Sequence, residues 1–93
     1  MYVAHKIYAG WDGPVSGWLV YHLRPIGRGD QQVTPLGFVH NDGVGTWDDL
    51  RRLLPGVAYL GDVTVTDDQY RDLLHREVNP VHMRRVADAV EGN

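Results

Sequence analysis

Three histidines, at positions 5, 22 and 40, fall on separate stretches with strand character, and Asp42 follows the last of them by two residues. Neutral imidazoles and a carboxylate suit a transition metal. An imidazole beside a carboxylate also moves protons near neutral pH. His5, His22, His40 and Asp42 are therefore the candidate metal-ligating or acid–base set. The first two rings meet only if position 5 pairs with position 22, because a one-residue slip turns them to opposite faces. No His-x-x-x-His pair at helical spacing accompanies them, so scattered boundary histidines are the simpler reading. His75 and His82 read as solvated helix residues. Asp42 has the spacing to orient His40, but Ser16, the only serine, lacks a nucleophile-elbow pattern.

A second kind of chemistry is recognition. Seven aromatic residues lie within the first 47 positions: Tyr2, Tyr8, Trp11, Trp18, Tyr21, Phe38 and Trp47. Tyr2 and Tyr8 share a strand face with Lys6, and Trp11 sits in the glycine-rich turn beyond. Tyrosine, tryptophan and arginine are enriched at protein–protein hot spots. Trp11, Tyr8 and Tyr2, with Arg28 between Gly27 and Gly29, are thus the candidate partner-binding residues. A Tyr/Trp sheet face of this kind also stacks single-stranded bases. Trp18, Phe38 and Trp47 are expected in the core. Gly43-Val44-Gly45-Thr46 precedes a helix start, where amides hold anions. Asp48 and Asp49 in that first turn oppose a phosphate, and the phosphate-loop spacing is absent, so a loop and helix cap are expected.

Charge limits these readings. Residues 1–45 carry three basic and three acidic side chains, and residues 46–93 carry six and nine. Neither half has the basic field that nucleic-acid binding draws on, so a nucleic-acid partner is not expected. The acidic half would steer a basic partner. With no cysteine, disulfides, thiolate catalysis and Cys-ligated metals are excluded. No 18-residue apolar run is present, so no membrane span is expected. Residues 1–6 lack the order of a signal peptide, which leads us to expect a cytoplasmic protein. Lys6 is the single lysine among nine basic residues, a bias that points to a GC-rich genome such as that of an actinobacterium or its phage.

These side chains must be held by elements that the periodicity outlines. Ninety-three residues make one domain, spanning 1–93. Tyr2–Ala9 alternates as a strand, Gly10–Gly17 is a turn cluster, and Trp18–Arg24 resumes strand character up to Pro25. A third strand lies near Gln32–His40, with Pro35 demoting it to an edge or moving its start to about Leu36. Thr46 caps a short helix carrying Trp47, Leu50 and Leu54 on one stripe, and Pro55-Gly56 ends it. Val57–Val65 alternates as a fourth strand, either parallel or antiparallel to the third. Thr66 and Gln69 form a capping box opening a helix with Tyr70, Leu73, Leu74 and Val78 on one face. Asn79-Pro80 breaks it and starts a last helix with Met83, Val86, Ala87 and Val90 inward.

The expectation is an α+β fold of about four strands in the order β-β-β-α-β-α-α, with its helices on one face. The functional expectation is a protein-binding module without a cofactor, covering a surface of a larger protein as a phage- or mobile-element-encoded inhibitor would, in the host cytoplasm. Self-pairing to a homodimer through the third or the N-terminal strand is a variant. A metal-dependent or His/Asp acid–base enzyme and a single-stranded nucleic-acid binder are the alternatives.

Overall fold

The alternating residues at the N-terminus form strand β1 (Tyr2–Ala9), which pairs antiparallel with β2 (Val15–Pro25), as β2 does with β3 (Gln31–His40). Helix α1 (Trp47–Leu53), strand β4 (Ala58–Val65) and helices α2 (Asp67–Leu74) and α3 (Pro80–Glu91) complete the α+β order expected from sequence. This computed structural model describes residues 1–10 and 15–92.

The sheet order is β3-β2-β1-β4, with β4 parallel to β1. The fourth strand therefore pairs with the first, not with the third in either direction. Residues 41–57 carry the chain, with α1, from the β3 edge across one face to the far side of β1. This crossing also removes the N-terminal strand from the edge, since β1 is paired on both sides. The edges are β3, which holds Pro35 where a missing ladder donor is tolerated, and β4.

One face packs Tyr2, Ala4, Trp18 and Val20 against α1 and α3, which contribute Leu50, Met83 and Ala87. The indole of Trp18 is fully buried and donates to the Val44 carbonyl over 2.6 Å. On the other face Ile7, Phe38 and Val65 pack against Tyr70 and Leu73 of α2. The helices thus do not all share one face: α1 and α3 take one side and α2 the other. After β4 the chain crosses the second face as α2 and then joins the opposite edge. There the Phe38 amide donates to the Arg76 carbonyl (3.1 Å) and the Val78 amide to the Phe38 carbonyl (2.9 Å). Gly37 permits this approach: its φ is +139°, and a Cβ would lie 3.0 Å from the Arg76 oxygen. Val78 consequently belongs to an edge bridge rather than to α2.

Thr46 and Thr66 cap α1 and α2 as expected, and Asn79 caps α3. The Asp49 amide donates to Thr46 Oγ1 (3.2 Å), and the Gln69 amide donates to Thr66 Oγ1 (3.2 Å). Asn79 Oδ1 accepts from the His82 amide (2.8 Å), with Pro80 at the first helical position. Among the described residues no helix is long and apolar enough to cross a membrane.

Candidate functional site

The register separates the histidines. His5 lies opposite Leu19, while His22 lies opposite Tyr2, three residues from the pairing that would join them. An odd offset puts their side chains on opposite faces of the sheet. His22 is 9% exposed, its ring edge-on to Tyr2 at 5.2 Å, on the face covered by α3. Burial, and secondly the Met1 ammonium 3.2 Å from Nε2, hold its pKa below the ordinary 6.5. His40 lies at the end of β3, opposite Gly17. Its Nδ1 accepts from the Asp42 amide at 3.3 Å and sits 3.5 Å from Asp42 Oδ2. Only His40 and Asp42 of the candidate set meet. Among the described residues no three His, Asp or Glu side chains gather at one point.

The aromatic candidates also divide. Tyr2 is 3% exposed and donates its hydroxyl to the Ala87 carbonyl, so its ring is core, not a surface anchor. Tyr8 is half-buried, and Arg28 is exposed in the turn between β2 and β3. Trp11 lies outside the described residues. Tyr2 and Trp18 lie under α1 and α3, so these two rings are not exposed on that sheet face; helix coverage decides what alternation alone leaves open.

Compared with protein-family models, curated proteins and solved structures, the chain matches none.

Two neighbouring exposed apolar side chains lie where sequence reading did not place a site, on the β4 edge. Tyr59 and Leu60 are each 48% exposed. Asp62 is the only charge among the eight residues of β4, which holds no proline or lysine. Edge strands are ordinarily defended by such residues. β4 carries a bulge instead: Ala4 pairs with Tyr59 and His5 with Gly61, leaving Leu60 as the extra residue, with Gly61 at φ +117°. Tyr59 stacks edge-on against Trp47 at 5.4 Å, and Trp47 lies 5.8 Å from Trp18. Lys6 Nζ lies 5.6 Å from the Trp18 ring, a cation–π distance. Lys6, Trp47 and Tyr59 border a cavity of about 140 Å³ beside the strand. The signal for this site in the sequence is an alternating strand short of charge; that it is an edge follows only from its pairing with β1.

A second concavity, about 360 Å³, opens on the opposite face between the sheet and α2. Ile7, Leu19, Val63 and Val65 form its apolar floor, and His5 and Tyr21 stand on the sheet side with ring centroids 6.2 Å apart. Gln69, Asp72 and Leu73 of α2, and Arg76 just beyond it, border the other side.

Proposed function

We propose that the protein is a cytoplasmic protein-binding module that covers a surface of a larger partner and receives an extended segment of it along β4. The observation that supports this reading is the β4 edge: a strand with a single charge, Asp62, and with Tyr59 and Leu60 nearly half exposed. An edge strand offers main-chain donors and acceptors for affinity, and neighbouring pockets sort alternate side chains. Trp47 and Tyr59 supply rigid aromatic anchors of the type that dominates interface energetics. The acidic excess of residues 46–93 would speed encounter with a basic partner.

The test is affinity capture with the wild-type chain and with Leu60→Lys, together with a photo-crosslinking residue at position 60. A retained protein that crosslinks at position 60 and is lost with Leu60→Lys, at unchanged melting temperature, supports the reading. If that protein is a second copy of the chain, the module is a homodimer built on β4. Retention indifferent to Leu60→Lys contradicts the reading.

A further inference from the structure

Gln69, Asp72 and Leu73 of α2, with Arg76 just beyond its C-terminal end, line one side of the second concavity. Across from them lies a floor of aliphatic side chains, Ile7, Leu19, Val63 and Val65. Leu73 packs on the aliphatic floor, and the exposed side chains of Gln69, Asp72 and Arg76 border it as a polar rim. Among the described residues neither Asp72 nor Arg76 forms an ion pair, whereas Arg51, Arg52, Arg71 and Arg84 each do.

His5 adds a further polar group. Its Nδ1 is sealed from solvent and has no hydrogen-bond partner among the described residues. A buried donor without an acceptor is costlier than an unused lone pair. That places the ring proton on Nε2, the nitrogen not sealed away.

We infer that this groove is a binding site for a small zwitterion with an apolar body, the class of apolar α-amino acids. Its size, about 360 Å³, falls in the range of about 300–1,000 Å³ that holds small molecules. The apolar body covers Leu19, Val63 and Leu73. The carboxylate pairs with the Arg76 guanidinium, whose fork matches carboxylate geometry. The ammonium pairs with the Asp72 carboxylate, and His5 Nε2–H and the Gln69 amide complete the polar rim. The site lies on the face away from the Tyr59–Trp47 anchors and does not rest on the protein-binding reading, so Leu60→Lys leaves it intact.

The test is an amide-resolved NMR titration with L-phenylalanine, 3-phenylpropionate and phenethylamine, the latter two lacking the ammonium and the carboxylate respectively. L-phenylalanine produces saturable shifts at His5, Leu19 and Leu73, and each analogue binds about tenfold more weakly, the worth of one charge-assisted hydrogen bond. Arg76→Gln, an exposed change that spares the fold, removes the preference of L-phenylalanine over phenethylamine. Leu73→Trp, which fills the groove, abolishes the shifts. Absence of saturable shifts at these residues, or equal binding of the single-charge analogues, overturns the inference.

Discussion

The Tyr2 hydroxyl donates to the Ala87 carbonyl over 2.9 Å, tying the first strand to the last helix across 85 positions of chain. A buried bond of this kind contributes about 0.5–1.5 kcal/mol net. Tyr2→Phe should lower the unfolding free energy by that amount, read as a lower urea midpoint at unchanged slope, since the ring and its packing remain. The same burial, followed by the nearby Glu91 carboxylate, pushes the Tyr2 phenol up to about 12 from 10.0. The folded state therefore prefers the protonated phenol. Its contribution is complete below pH 10 and lost as pH rises through about 12. Urea melts across that window should show the advantage of wild type over Tyr2→Phe shrinking with alkalinity.

On the acid side the informative group is His22. Its pKa is held below 6.5 by burial and then by the Met1 ammonium. The unfolded chain binds the proton more readily, so the neutral ring's contribution is complete above pH 6.5 and declines as pH falls below it toward the folded value. Melting temperatures at about pH 7.5 and about pH 5 should differ less in His22→Asn than in wild type.

Gly17 tests the packing between β2 and β3. A Cβ there would collide with the Val39 carbonyl oxygen and come within 2.5 Å of the Phe38 ring. Gly17→Ala should destabilise by about 1–3 kcal/mol or more, the usual cost of overpacking. Denaturant melts would show it, and an unchanged midpoint would mean the ring sits elsewhere.

These positions also mark where sequence reasoning reached and where it stopped. The Thr66–Gln69 capping box and the Asn79-Pro80 break are local chemistry, and both elements start where those residues require. Trp18 and Phe38 lie in the core, as their size and alternation imply. Gly17 reads as a turn former, yet it is a strand residue, because the reason for glycine is the Phe38 ring, 21 positions away. Tyr2 shows the same limit: alternation fixes which residues share its face, and only the path of α1 and α3 decides that this face is covered. The His5–His22 pairing depends on register, which the glycine-rich segment after Ala9 does not specify. The β4 edge was hidden because a strand's neighbours are a tertiary fact.

Leu60→Lys places a charge on the exposed bulge of β4. A substitution at so exposed a position should shift folding stability by no more than about 0.5 kcal/mol. Thermal melts of the free protein check this, and they separate loss of binding from loss of fold.

The most direct measurement is amide hydrogen exchange of the free protein and of its complex with the captured partner. Exchange in residues 58–64 should slow on binding, while the exposed face of α3 is unaffected. Protection confined to α3 or the β2–β3 turn, with β4 exchanging as in the free protein, would contradict the account.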